Sequence, residues 1–241
     1  MQRRKFLKHT GALLLLAPRL LLAGCPEIPR EVAGIKLPGT PRARAAAAFA
    51  RASCPPFLFN HCMRTYLFGA LTLAGAGRAF SAEDAFIASA LHDLGLLRPF
   101  ESPAASFEAD GADAAERFAR AHGDGSHAAD RIWHAVQMHD GPWALTRRQG
   151  TEAMLVALGA GTDVDGPQPG QLGDAQIAQV LEAFPRLEFK RQFTGLLIGH
   201  CQRKPDSQHA TWLEGLCAAH ARGTRAPQAV EQAIAAAPFS E

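Results

Sequence analysis

No stretch of this sequence alternates apolar and polar side chains with period two for long enough to make a strand, so the sequence offers no sheet. No apolar run approaches the ~20 residues that span a bilayer. Cysteine is sparse: five in 241 residues exclude a disulfide-built scaffold. There is no internal repeat and no glycine-rich phosphate cradle. A basic body is missing as well. The formal net charge is +2, but five of the 25 basic residues (Arg3, Arg4, Lys5, Lys8 and Arg19) lie in the first 24 positions, where there is no acid. That leaves 20 basic residues against 23 acidic ones, a net charge of −3, and charge excludes a nucleic-acid-binding body. What the chain has in quantity is apolar: 47% of its residues are hydrophobic, which supports a buried core and rules out wholesale disorder.

The N-terminus carries an address. Arg3-Arg4-Lys5-Phe6-Leu7-Lys8 precedes an apolar stretch that Pro18 and Arg19 interrupt, too short and broken for a membrane helix. The basic motif resembles a bacterial twin-arginine export signal, and Leu22-Ala23-Gly24-Cys25 resembles a lipobox. The resemblance implies removal of residues 1–24 and lipidation of Cys25. It also implies a protein exported already folded to the periplasm or cell envelope, where it touches membrane only through that lipid anchor.

Residues 25–41 are rich in proline, glycine and charge and read as a linker. From residue 42 to 241 the pattern is helical almost throughout, in good helix formers. The periodicity predicts helices over 42–53, 59–77, 82–94, 112–121, 127–139, 147–158, 174–184, 186–202, 208–221 and 227–236. Ser81 with Asp84, and Thr146 with Gln149, have capping-box spacing, and Asp174 opens an apolar-periodic run. Gly166 to Gly170 reads as a loop. The expectation is an all-α protein, one helical domain of about eight to ten helices preceded by a signal segment.

Polar residues interrupt the apolar helices at three places. His92-Asp93 sits in ASALHDLGLL, where a buried polar pair must find partners or be costly. A divalent metal is one such partner. A helix C-cap with Gly95 as its left-handed residue is the other. His61 lies on a second apolar helix, in FNHCMRTYLFGALTL, and Asp163 closes a third, in ALGAGTDVDG. The order is H…HD…D.

That order, and the local sequences NHCMRTYLFG, ALHDLGL, FEADGADAAERFARAHG, VQMHDGP, GAGTDVDG, FPRLEFKRQF and RKPDSQHATW, resemble the HD superfamily of metal-dependent hydrolases, and within it the cyanamide hydratase-like branch. The resemblance runs from about Asn60 to Cys217. It implies one divalent ion, zinc, iron or manganese, held by His61, His92, Asp93 and Asp163, with Asp165 a rival for the last place. It implies that His139 contacts substrate or transfers a proton, and that Glu108 or Asp110, otherwise cap residues, reaches the pocket; Glu108 is taken with His139 as catalytic. Asn60 is either a partner behind His61 or a helix cap. His122 reads as a helix-end residue, His127 and His134 have no motif support, and Lys190-Arg191 reads as a solvated pair. Asp140 departs from the family, where a small hydroxyl residue is common.

The implied activity is attack by metal-activated water on a small molecule, a nitrile in this branch or a phosphoester in the wider superfamily. A binding-only HD module is the other class of reading. Arg64 and Lys190 are the cations the motifs offer to a phosphate. Cys62 reads as core; in an oxidising compartment two of Cys54, Cys62, Cys201 and Cys217 can pair, and the sequence does not say which.

Overall fold

The computed structural model describes residues 28–222. The signal segment 1–24, Cys25 and the expected helix 227–236 lie outside the described residues. Within them the chain is mostly helical. The order is β1 (Glu31–Val32), β2 (Ile35–Lys36), α1 (Pro41–Ser53), α2 (Pro56–Gly75), α3 (Ala82–Leu91), α4 (Phe107–Ala121), α5 (Ser126–Gln137), α6 (Trp143–Thr146), α7 (Thr151–Asp165), α8 (Asp174–Ala183), α9 (Phe189–Arg203) and α10 (Glu214–His220), with 3₁₀ turns at Leu94–Leu96 and Arg98–Phe100.

One sequence expectation fails at the start. The span read as linker holds a small antiparallel hairpin, Glu31 opposite Lys36 and Val32 opposite Ile35. Its two-residue strands are too short for alternation to register. The turn forms because Ala33 and Gly34 both adopt positive φ (51° and 82°), the condition for a two-residue hairpin loop.

Helix α2 is apolar on nearly every face and is buried on nearly every face, so it is the central element. Its most extensive partner is α7, followed in the domain by the α4–α5 pair. Two glycine contacts set these distances. A Cβ on Gly159 of α7 would lie 1.9 Å from the Thr65 carbonyl oxygen of α2, and one on Gly69 of α2 would lie 2.1 Å from the Leu155 carbonyl oxygen. The same device brings α4 onto the turn after α3. A Cβ on Gly95 would lie 2.0 Å from the Phe107 carbonyl oxygen, and one on Gly111 would lie 2.6 Å from that of His92. Gly95 is thus a close-approach residue and not a left-handed cap.

Helix ends move for identifiable reasons. Ser81 caps α3 as expected, its Oγ accepting from the Asp84 N–H at 3.4 Å. Thr146 caps nothing, because α7 begins later, after Gly150 at φ 107°; its hydroxyl instead donates to the Met138 carbonyl at 3.0 Å. Helix α4 starts five residues before the expected position, because Ser106 supplies the cap by accepting from the Ala109 N–H. Helix α7 runs on through its glycines to Asp165, and at Gly159 the α2 backbone takes up the space a side chain would fill. A disulfide joins Cys201 of α9 to Cys217 of α10, while Cys54 and Cys62 are buried thiols.

Candidate metal centre

Helix α3 stops at Leu91, and the 3₁₀ turn after it begins at Leu94, so His92 and Asp93 occupy a break between helical segments. Asp93 has φ −96° and ψ 9°, off the helical path. This turns its carboxylate toward the side chain of His92 instead of leaving the pair about 100° apart. Helix α2 brings His61 to the same point. The three side chains are essentially buried and their ligand atoms lie within 4.8 Å of one another. His61 Nε2 is 3.2 Å from His92 Nε2; Asp93 Oδ2 is 3.4 Å from the first and 3.3 Å from the second.

Which of these atoms carry protons follows from the other side of each ring. His92 Nδ1 sits 2.8 Å from the Ser89 carbonyl oxygen, which accepts only, so Nδ1 holds the hydrogen. Burial, together with the nearby His139 and His61, overrides Asp93 and lowers the pKa of His92 to about 3, so the ring is neutral and Nε2 is a lone pair. His61 Nδ1 is 2.7 Å from Asp163 Oδ2, an acceptor that holds a hydrogen on Nδ1 and leaves Nε2 as the nitrogen facing His92 and Asp93. Asp93 Oδ2 is buried and has no donor. With the His61 ring neutral, three lone pairs converge on one point. A divalent cation suits such a set, since nitrogen and carboxylate donors face one point from three directions. His139 adds a fourth acceptor nearby: its Nδ1–H donates to the Val136 carbonyl at 2.6 Å, and its Nε2 is 3.9 Å from Asp93 Oδ1.

Asp163 stands elsewhere than the sequence reading placed it. It is on α7 behind His61, and its oxygens are occupied. Arg64 makes a two-pronged contact, Nε to Oδ1 at 2.8 Å and Nη2 to Oδ2 at 2.7 Å, and Arg186 Nη1 donates to Oδ1 at 2.8 Å. Burial alone would raise this carboxyl, but the hydrogen bonds from His61 and Arg64 outweigh it and hold the group well below the ordinary carboxylate range. Asp163 thus orients His61 and does not face the three-atom cluster. Asp165, its rival, lines the small pocket at the cluster.

That pocket is about 150 Å³ and includes Asp140, Phe107, Phe193 and Trp212 in its wall. Glu108 is buried beside Asp140. Burial and the adjacent Asp140 charge raise Glu108 to about 7; burial and Asp93 raise Asp140 to about 6. The Asp140 charge raises Glu108, whereas the hydrogen bond with Glu108 lowers Asp140, so Glu108 is the group that keeps its proton to higher pH.

The remaining sequence candidates do not join the centre. Asn60 donates to the Pro185 carbonyl at 2.8 Å and so fixes the turn before α9. Asp110 accepts from the buried Lys204 Nζ at 2.5 Å, a tie from α4 to the end of α9. His122 donates to the Phe118 carbonyl and stacks on the Phe118 ring, as a helix-end residue does. Lys190 and Arg191 are exposed, the latter pairing with Glu188. Three contributors were missed in the sequence. Arg186 completes the grip on Asp163, the Phe189 ring stacks on His61 at 4.8 Å, and Trp212 stands half-exposed at the pocket. All three fall inside the FPRLEFKRQF and RKPDSQHATW segments, where the signal lay in the motif and not in any single residue.

Compared with protein-family models and with curated proteins, the chain gives no match.

Proposed function

We propose that this protein is an exported, metal-dependent enzyme of the HD type, a hydrolase or hydratase that acts on a small molecule. The observation that carries the reading is the buried cluster of His61 Nε2, His92 Nε2 and Asp93 Oδ2, three potential ligand atoms within 4.8 Å of one another. The cation they would hold is zinc, iron or manganese, and when bound it supplies an acidified water near neutral pH. The chain's own groups do the rest. Asp163, fixed by Arg64 and Arg186, keeps the His61 hydrogen on Nδ1 and so keeps Nε2 free as a ligand. His139 keeps its hydrogen on Nδ1 in the same way and presents Nε2 to the pocket, where it can take a proton from water. Asp140 faces the pocket with Glu108 behind it, a pair able to release a proton to the product and recover it afterwards.

The pocket favours a small, weakly charged electrophile of the nitrile type over a phosphoester. It is about 150 Å³, and among the described residues no lysine or arginine contributes to its wall. Arg64 and Arg186 are spent on Asp163. Phosphoryl transfer would call for free cations there. Anchoring through Cys25 and export by the twin-arginine route rest on the N-terminal motifs, and a disulfide suits an oxidising compartment.

Elemental analysis of the purified protein and of Asp93→Asn tests the reading. The expected result is about one zinc, iron or manganese per chain, lost in the variant along with hydration of cyanamide and small nitriles. A variant that keeps both metal and activity overturns the assignment. Turnover of p-nitrophenyl phosphate in preference to nitriles would move it to the phosphohydrolases.

A further inference from the structure

A second cavity, sharing no residue with the metal pocket, lies between the N-terminal hairpin and α1. It is a groove of about 1000 Å³ with an apolar floor of Leu37, Ala43, Ala47 and Phe86, all buried. Its walls carry four cations, Arg30, Lys36, Arg44 and Arg51, against one acid, Glu31. Among the described residues none of the four forms an ion pair. Arg44 donates to the Gly39 carbonyl, and Arg51 lies over the Phe59 ring at 4.1 Å. Arg42, Arg64, Arg131, Arg186 and Arg203, by contrast, each meet a carboxylate. Within a body of net charge −3, this apolar-floored groove thus gathers four cations that have no ion-pair partner among the described residues against a single acid.

We propose that this groove docks on anionic phospholipid, its cations meeting headgroup phosphates while the apolar floor takes the upper part of an acyl chain. Two observations name the occupant. The pairing of a cationic rim with an apolar floor matches an anionic amphiphile and is wasted on a free anion. Position is the second: Ile28, in the groove wall, is three residues from Cys25, a contour of at most ~10 Å. That second argument rests on the lipoprotein reading above; the first does not. A domain held this way lies with its hairpin face against the leaflet, which converts a mobile lipid tether into a two-point attachment.

The test is cosedimentation of the mature chain, residues 25–241 carrying Cys25→Ala so that neither signal segment nor lipid is attached, with phosphatidylglycerol–phosphatidylcholine vesicles and with phosphatidylcholine alone. Arg30→Glu with Lys36→Glu reverses two exposed rim charges that make no side-chain hydrogen bond among the described residues. Arg147→Glu with Arg148→Glu makes the same charge change at exposed positions outside the groove. Each cation near an anionic leaflet strengthens binding roughly fivefold. The rim variant should therefore lose at least about tenfold in affinity for anionic vesicles and the control should lose about twofold or less, with binding weakened by salt. Equal losses in the two variants, equal binding to neutral vesicles, or full displacement by inorganic phosphate would each overturn the proposal. Intact mass of the unaltered chain reports lipidation separately: absence of lipid sinks the anchor, while vesicle binding decides the groove.

Discussion

His61 uses its two ring nitrogens for different partners. Nδ1–H is held by Asp163 at 2.7 Å, and Nε2 faces His92 and Asp93. The division makes Asp163 and Asp93 separable by mutation. Asp163→Asn keeps the shape but weakens the grip of Arg64 and Arg186 and lets the His61 tautomer drift. It should lower metal affinity about 10–100-fold without abolishing binding, the usual cost of an orienting partner. Asp93→Asn should abolish it. Competition against a chelator of known affinity measures both, and equal total loss in the two variants would make Asp163 a direct ligand. Glu108 gives a pH signature. Its folded pKa, about 7, and that of Asp140, about 6, both lie above their ordinary values of 4.5 and 3.8. For raised acids the stabilising form is the protonated one. Their contribution is complete below the unfolded values and is lost as pH rises through about 6 to 7. Unfolding free energy of the chelated protein should therefore fall between about pH 5 and 8, and Glu108→Gln should flatten that slope; an unchanged slope would mean that Glu108 takes up no proton on folding.

The helices carry the site because they touch at glycines. Gly159 lets α7 reach the backbone of α2, and those two helices hold Asp163 and the His61–Arg64 pair respectively. On an isolated helix, Gly159→Ala would gain up to ~1 kcal/mol in propensity. Here its Cβ would lie 1.9 Å from the Thr65 carbonyl oxygen and 3.0 Å from the Gly69 nitrogen, so a backbone must shift. Overpacking of this kind costs about 1–3 kcal/mol, and more where backbone is the obstacle. The variant should melt at lower temperature and bind metal more weakly, since the α2–α7 spacing sets the His61–Asp163 bond; a higher melting temperature would refute this account of the crossing. Helix type was legible at most positions because the periodicity and the Ser81 cap are local signals. The close crossings were not. ALGAGTDVDG reads as a helix ending at glycines, and only the partner helix shows that Gly159 is there for close approach. The three-residue cluster was legible for the opposite reason: a histidine or acid inside an apolar run has to be satisfied, whatever surrounds it. Asp163 shared that signal, but sequence does not distinguish a residue facing a cluster from one facing its back.

Across the whole molecule, the metal centre and the pocket mouth depend on different constraints. The centre is built from α2, α7 and the turn after α3, all within the main core. The mouth depends on the segment between Cys201 and Cys217, a loop with a sequence separation of 16 that the disulfide closes and that contains Trp212. Closing a loop of this length is worth about 3 kcal/mol when the cost is counted in the unfolded chain. Gln208 and His200, 3.1 Å apart, tie the same segment to α9. A protein exported folded by the twin-arginine route would assemble its core in a reducing compartment and close this loop afterwards. The consequence is a separation of the two properties. Protein kept reduced, or carrying Cys201→Ser, should bind as much metal as the oxidised protein, about one ion per chain on the proposed reading. It should nonetheless have a raised KM, because Trp212 no longer holds its place at the pocket, and a melting temperature lower by several degrees. Metal content, KM and thiol titration on reduced and reoxidised samples check this together. If reduction removed the metal, the loop would be part of the centre's scaffold; if it left KM unchanged, Trp212 would not contribute to substrate binding.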